Sequence, residues 1–344
     1  MNDFSSNLLF LETRSVPVPV GLSALVVTHN RKAQLRQTLD RLLAEQVDVI
    51  VVVNNASTDG TTAMLLTITD PRLHVINLPR NMGGAGGFEA GLRAMVAWFD
   101  PEWCVLMDDD SRPESGTFAR FQDQSEQLMG AGYDAIASGV FYPDGRICEM
   151  NRPSRNPFWH VADFIRTAVG QGRSGFHLRD ADYAATAPVQ VDASSFVGLF
   201  LSRQGLARAG YPDGELFLYA DDVMYTLRLT QRGGRIGFLP ELRFEHDCTT
   251  YPVDGSGIHR PLWKVYYNYR NALRAYRMVA GPVLFWPVLA LTLFKWRRRA
   301  RHAGSDRAAY LTLLNLAVKD ALWGHANRDI AQVRALARSL SRDG

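Results

Sequence analysis

Two seven-residue apolar runs, Leu22–Thr28 (LSALVVT) and Val47–Val53 (VDVIVVV), flank a segment in which Leu35, Leu39, Leu42 and Leu43 recur at helical spacing. Short runs rich in β-branched residues read as buried strands, and the leucine stripe reads as the inner face of an amphipathic helix. Strand, helix and strand within about thirty residues make a βαβ unit, whose crossover requires the two strands to be parallel. Leu73–Leu78 (LHVINL) and Trp103–Met107 (WCVLM) supply two more strands, with a helix over Glu89–Trp98 between them. The class is therefore α/β. Open sheets of this kind bind ligands beyond the carboxyl ends of their strands. At that edge the chain places Thr28-His29-Asn30, Asn54-Asn55, Arg80-Asn81 and Asp108-Asp109-Asp110.

Beyond this half the pattern is less regular. Asp134–Phe141 is a strand candidate closed by the turn Tyr142-Pro143-Asp144-Gly145, and the polar stretch 151–187 reads as loop and short helix, in the manner of a lid. Val189–Ser202 returns to strand character. Asp221–Arg232 is helical, with Val223, Leu227 and Leu229 or Thr230 on its buried side, and Arg235–Leu239 is a last strand. One compact unit is expected over residues 21–250, with a loose tail or docking arm over 1–20 and a helical region over 251–344. The tail carries Asp3 and Glu12 without a basic leader, so it does not read as a signal peptide. Cys104, Cys148 and Cys248 are widely spaced and odd in number, which argues against a disulfide framework or a zinc site and for a reducing cytoplasm. A net charge of +3 gives no reason to expect a nucleic-acid partner.

Asp108 and Asp110 stand at i and i+2 on a strand end and point to one side, where they can share a divalent cation while Asp109 faces elsewhere. A solvated acidic turn is the plainer alternative. Gly83-Gly84-Ala85-Gly86-Gly87 precedes the helix near Glu89, so its backbone is able to approach phosphate or ribose oxygens; a flexible turn is again the alternative. Neither a GxGxxG following the first strand nor a GxxxxGK[ST] loop is present, which weakens dehydrogenase and P-loop assignments.

Four ordered motifs carry a resemblance: Val26-Val27-Thr28-His29-Asn30-Arg31; Val53-Asn54-Asn55-Ala56-Ser57-Thr58-Asp59-Gly60-Thr61; Asn81-Met82-Gly83-Gly84-Ala85-Gly86-Gly87-Phe88; and Asp108-Asp109-Asp110. Over residues 21 to 250 the chain resembles family 2 glycosyltransferases. The resemblance implies a GT-A fold: a Rossmann-like, mostly parallel sheet flanked by helices, here with a C-terminal helical extension. It implies that Thr28, Asn30 and Arg31 lie along a nucleotide-sugar donor, with Asn54 or Asn55 against the base, where many members use a carboxylate, and with Asp59, Asn81, Gly83, Gly84 and Asp109 nearby. Asp108 and Asp110 match the family's pair for Mn²⁺ or Mg²⁺, and His246 aligns with a third ligand. The family's later acidic pair falls on Asp221-Asp222, whose second member is the catalytic base. By residue type alone the pair also suits an ordinary helix first turn. Trp159 and His160 offer an aromatic platform for an acceptor sugar or else core packing, and Asp192, with Ser194 and Ser195, lies where relatives contact the acceptor.

At the C-terminal end Leu262, Val265, Tyr266, Tyr269, Leu273 and Tyr276 recur at helical spacing, with Lys264, Arg270, Arg274 and Arg277 largely elsewhere on the wheel. Val279–Phe294 is sixteen uncharged residues containing Pro282 and Pro287, followed by Lys295-Trp296-Arg297-Arg298-Arg299-Ala300-Arg301. Spanning a bilayer takes about twenty residues, so the expectation is an interfacial anchor on an anionic membrane, with a packing or homo-oligomer element as the alternative. Ser305–Leu322 and Arg328–Leu340 read as closing helices.

The glycine-rich motif, the triple aspartate and the Arg-rich end together resemble bacterial galactofuranosyl- and rhamnosyltransferases. They imply an inverting, metal-dependent transfer to a lipid-linked or oligosaccharide acceptor at the cytoplasmic face of the cell membrane, with UDP-galactofuranose as first choice of donor and dTDP-rhamnose as second. A nucleotidyltransferase and a non-catalytic scaffold of a polysaccharide assembly complex are the rivals from other classes. The first predicts a glycine loop after the first strand, and the second does not require intact carboxylates at 108, 110 and 222.

Overall fold

The computed structural model describes residues 20–248, 258–324 and 328–342. The expected tail and the expected boundary near residue 250 lie outside them, apart from Val20. Among the described residues nine strands form one sheet: β1 (Leu22–Thr28), β2 (Val49–Asn54), β3 (Leu73–Asn77), β4 (Trp103–Asp108), β5 (Ser111–Pro113), β6 (Ala135–Phe141), β7 (Val189–Val191), β8 (Leu199–Ser202) and β9 (Ile236–His246). Their order is β3-β2-β1-β4-β8-β6-β9-β5, with β7 also paired to β9. The first four strands are parallel, as the apolar runs predict. Their register sets Thr28 opposite Asn54, Asn54 opposite Asn77 and Val27 opposite Asp108, so the polar strand ends share one edge.

The other half of the sheet is mixed. β8 runs antiparallel to β4 and β6, and β9 runs parallel to β6 but antiparallel to β5 and β7. The expected strand 189–202 is in fact two strands separated by residues 192–198. The β5–β9 register has a chemical consequence. Ser111 pairs with His246, and the Asp247 N–H donates to the Asp110 carbonyl at 2.9 Å, which fixes His246 beside the triple aspartate.

Helices cover both faces of the sheet. On one side α1 (Lys32–Leu43), α2 (Thr61–Leu66) and α4 (Thr117–Gly130) pack Leu35, Leu39, Leu42, Phe118 and Phe121 onto Ala24, Val26, Ile50 and Val52. On the other α3 (Gly83–Phe99), α6 (Arg203–Ala209) and α7 (Asp221–Gln231) meet Leu25, Val27, Val51 and Val53. In α7 the buried residues are Tyr225, Thr226, Leu227 and Leu229, and Val223 is only half-buried. Between β6 and β7 lies α5 (Val161–Arg166), followed by single turns.

The glycine cluster departs from its expected place before a helix. It is the first turns of α3, which starts at Gly83 rather than near Glu89. A Cβ on Gly87 would run into Val27, and one on Gly91 into Leu25, so the glycines bring the helix backbone against the sheet. Gly84 alone in the cluster faces open space.

The C-terminal helices α8 (Trp263–Arg299), α9 (Arg307–Trp323) and α10 (Ile330–Arg342) share a separate core that also takes in Phe217, Leu218 and Tyr219. α8 runs on through both prolines but is broken at Gly281, whose φ is +69°. Pro282 falls in the first turn after the break, where no N–H is needed. Arg270, placed by the helical wheel among the outward cations, is instead fully buried.

Candidate active site

The carboxyl edge of the parallel strands opens into a cavity of about 480 Å³. Its first wall comes from strand ends and the start of α3. Asn55 clamps that helix: its amide N–H donates to the Gly83 carbonyl at 2.8 Å, and its Oδ1 accepts the Met82 N–H at 2.8 Å. Asn81 Oδ1 accepts the Gly83 N–H at 2.8 Å. Thr28 donates to Asp109 at 2.7 Å, and Arg31 reaches Asp109 at 3.2 Å and Asp110 at 2.5 Å.

Asp108, Asp110 and His246 bring their ligand atoms within 4.8 Å of one another. Burial and the charge of Asp110 push Asp108 up to about 7, and burial pushes Asp109 up to about 6 despite Arg31. Asp110 moves the other way: burial opposes its charge, but the hydrogen bond and charge of His246, with Arg31, hold it below the usual carboxylate range. His246 is likewise disfavoured as a cation by burial, yet Asp110, Cys148 and Asp108 raise it to about 10. Two carboxylates and an imidazole, two of them buried, form a donor set that suits a divalent cation, which would take over the compensation now supplied by the imidazolium and Arg31. His246 Nδ1 donates to Asn151 Oδ1 at 2.7 Å, leaving Nε2 toward Asp110 at 3.2 Å. That outer partner orients the ring.

The second wall is residues 217–222. Phe217, Tyr219 and Ala220 have positive φ (66°, 73° and 59°), a costly state for residues with side chains. The segment is held by α8. Asn271 Nδ2 lies within reach of the carbonyls of Leu216 (3.0 Å), Leu218 (2.7 Å) and Tyr219 (2.9 Å), and Arg270 donates to the Leu216 carbonyl at 2.8 Å. The turn delivers Asp221 and Asp222 to the cavity at the start of α7. Burial, opposed only by backbone N–H donors including that of Val223 at 2.7 Å, pushes Asp222 up to about 6. Burial and the neighbouring Asp222 charge raise Asp221 well above the usual carboxylate range.

The family model for glycosyl transferase family 2 matches residues 23–176, which carry the first wall. The chain is 28% identical over 258 residues to the galactofuranosyltransferase GlfT1 of Mycolicibacterium smegmatis, covering 72% of this chain and 80% of that one. It is 24% identical over 271 residues to the dTDP-rhamnosyl transferase RfbF of Shigella flexneri, covering 77% and 82%. The chain is a glycosyltransferase in which residues 23–176 match family 2.

Its fold is that of GT-A enzymes. A crystal structure of GalNAc-T7 with UDP, GalNAc and Mn²⁺ superposes with a TM-score of 0.55 at 12% identity, over 94% of this chain and 54% of that one. Of the residues singled out in the glycosyltransferase sequence, Thr28, Arg31, Asn55, Asn81, Gly83 and Gly84 line the cavity, as do Asp108, Asp109, Asp110, His246, Asp221 and Asp222. Asn30, Asn54 and Asp59 do not. Asn54 is buried and bonded to Thr62, Asn77 and the Ser57 N–H, while Asp59 takes the N–H groups of Lys32 and Thr61 at helix starts. Asn30 accepts the Thr58 N–H. Trp159, His160 and Asp192 also lie off the cavity lining; Asp192 is bonded to His160 and to the Asn156 N–H.

Sequence reasoning missed Lys264 of α8 and Arg334 of α10, which bring two cations to the cavity from beyond the catalytic sheet. No motif signals them. Asn271 is equally silent in sequence, one polar residue among several on its helix.

Proposed function

We propose that this enzyme transfers galactofuranose from UDP-galactofuranose, with inversion at the anomeric carbon, onto a lipid-linked glycan acceptor of a bacterial surface polysaccharide. The observation that carries the assignment is one cavity with the Asp108, Asp110 and His246 donor set on one wall and Asp221 and Asp222 on the other. Asp108, Asp110 and His246 would hold Mn²⁺ or Mg²⁺, which would supply neutralising charge for the departing diphosphate. Thr28, Arg31, Asn55, Asn81, Gly83, Asp109 and the open backbone at Gly84 take the donor nucleotide, with Asn30, Asn54 and Asp59 shaping the turns behind them. Lys264 and Arg334 add positive charge facing the phosphates.

In the displacement, the acceptor hydroxyl oxygen bonds to the anomeric carbon as the bond from that carbon to the diphosphate oxygen breaks. The hydroxyl proton passes to Asp222, and the electron pair leaves with the diphosphate. Raised to about 6, Asp222 is a stronger base than an ordinary carboxylate and is still ionised near neutrality. Trp159, His160 and Asp192 stand outside the cavity lining, so any acceptor contact they make is to a part of the glycan remote from the attacking hydroxyl.

The galactofuranose donor rests on similarity to the mycobacterial enzymes, and dTDP-rhamnose is the second choice because of the Shigella relative. Attachment at the cytoplasmic face of the membrane is supported by α8. By length and composition it is able to cross a bilayer, yet only 17% of its apolar stretch is covered by protein. After Gly281, Phe285, Leu289 and Trp296 pack inward, while Val283, Trp286, Leu291 and Phe294 are more than 60% exposed and lead into Arg297, Arg298 and Arg299. One face on protein and one apolar face ending in cations suits the membrane interface.

The test is nucleoside diphosphate release from UDP-, GDP- and dTDP-sugars with lipid-linked acceptor and Mn²⁺, comparing wild type with Asp222→Asn. Release from UDP-galactofuranose alone, lost in the variant by about 10² to 10⁴-fold, is expected. Release from dTDP-rhamnose alone selects the second donor, and full activity in the variant removes Asp222 as base.

A further inference from the structure

Behind His246, on the side away from Asp108 and Asp110, the structure assembles three residues that the reaction does not use together. Cys148 follows β6, and Cys248 stands two residues beyond His246 at the end of β9, so the sheet brings side by side two thiols that sequence spacing had seemed to separate. Cys148 Sγ lies 3.9 Å and Cys248 Sγ 3.4 Å from His246 Nδ1, and all three ligand atoms fall within 4.8 Å of one another. In a tetrahedral zinc site, bond lengths of about 2.3 Å to sulfur and 2.0 Å to nitrogen put those atoms about 3.5 Å apart. The two observed distances bracket that value. Asn151 Oδ1 lies 3.1 Å from Cys148 Sγ and 2.7 Å from His246 Nδ1, an oxygen beside the three ligand atoms. The pocket is built: Cys148 is fully buried and His246 is 5% exposed, with Cys248 half-buried beside them.

We propose that Cys148, His246 and Cys248 form a site for a thiophilic divalent cation such as Zn²⁺, which shares His246 with the hard-cation site and competes with it for that ring. Soft thiolates with one imidazole favour Zn²⁺, whereas Asp108 and Asp110 favour Mg²⁺ or Mn²⁺. On binding, the two thiols and His246 Nδ1 give their protons to solvent, and two Sγ–metal bonds and one Nδ1–metal bond form. The ring then keeps its remaining proton on Nε2, directed at Asp110. In that tautomer Nε2 has no lone pair for a hard cation, so a filled thiolate site withdraws the third ligand from the catalytic pair. The hard-cation half of this competition rests on the transferase assignment above, but the thiolate site does not.

Titration of the reduced full-length protein with Co²⁺, in the presence of a non-thiol reductant, reads the site directly. One equivalent is expected to give a thiolate-to-cobalt charge-transfer band, abolished by Zn²⁺ and lost in both Cys148→Ser and Cys248→Ser. No such band from folded wild type, or a band that survives both substitutions, overturns the site. Zn²⁺ inhibition of Mn²⁺-supported turnover reads the competition. Each serine variant is expected to need about tenfold more Zn²⁺ or higher for half-inhibition, since even an outer-shell partner is worth that much affinity. Unchanged inhibition in both variants overturns the shared-histidine competition. If wild type shows the cobalt band but no sugar transfer with any donor, the transferase assignment fails and the thiolate site stands.

Discussion

The two walls of the cavity are held by different means. The wall bearing Thr28, Asn55 and Asp108 is the edge of a parallel sheet whose strand register aligns the polar ends, and the bonds of Thr28 to Asp109 and of Asn55 to Gly83 are made within the first 110 residues. The wall bearing Asp221 and Asp222 is a turn with three non-glycine residues at positive φ, and its carbonyls are gripped by Asn271 from some fifty residues later in the chain. A sheet edge keeps its shape because β1, β2 and β4 are each paired on both sides. A strained turn, at about 1–3 kcal/mol per residue, keeps its shape only when another body over-determines it. The C-terminal helices are that body.

The comparison is broken most directly at Asn271. Asn271→Ala should lower kcat by about a hundredfold, because a shift of about 1 Å in a reacting group costs that much, with little change in donor affinity. Asn55→Ala, on the other wall, should act chiefly on the donor KM. Equal effects on kcat from both substitutions would mean that the turn does not depend on α8.

The pH profile sharpens the same contrast. With the divalent cation saturating, Asp108 and Asp110 stay ionised, so the acid limb of kcat/KM belongs to the second wall. Its base must be unprotonated, and Asp222 is raised to about 6, so activity should fall about tenfold per pH unit below about 6. A limb near the ordinary carboxylate value would place the base elsewhere.

Within the first wall, Gly87→Ala should destabilise the protein by about 1–3 kcal/mol by overpacking against Val27. Gly84→Ala meets open space and should leave thermal stability unchanged while weakening donor binding. A smaller effect is expected on the C-terminal helices. Each of Arg297→Ala and Arg298→Ala should weaken binding to anionic vesicles by about 1 kcal/mol, without altering turnover of a soluble acceptor.

Much of the first wall was legible because periodicity and strand-end chemistry are local. The apolar runs 22–28 and 103–107 fall within a residue of β1 and β4, the β2 run differs at both ends by no more than two residues, and the three aspartates follow directly from β4. The start of α3 was misjudged because glycine lowers helix propensity, while close packing on Val27 and Leu25 makes glycine the residue that fits. Arg270 was misplaced for a related reason: a helical wheel assigns charge to solvent, whereas here backbone carbonyls and the rings of Tyr266 and Tyr267 surround the guanidinium.

By itself the sequence determined the α/β class, the parallel half of the sheet and the chemistry of its carboxyl edge, since these follow from side-chain period and from residues adjacent in the chain. Tertiary structure decided what depends on distant segments meeting. The β5–β9 register put His246 beside Asp110, the sheet brought Cys148 to Cys248, and α8 and α10 supplied Lys264, Arg334 and the grip on the turn before Asp221. No local pattern encodes such meetings, because each is fixed by the packing of elements fifty or more residues apart rather than by the propensity of either one.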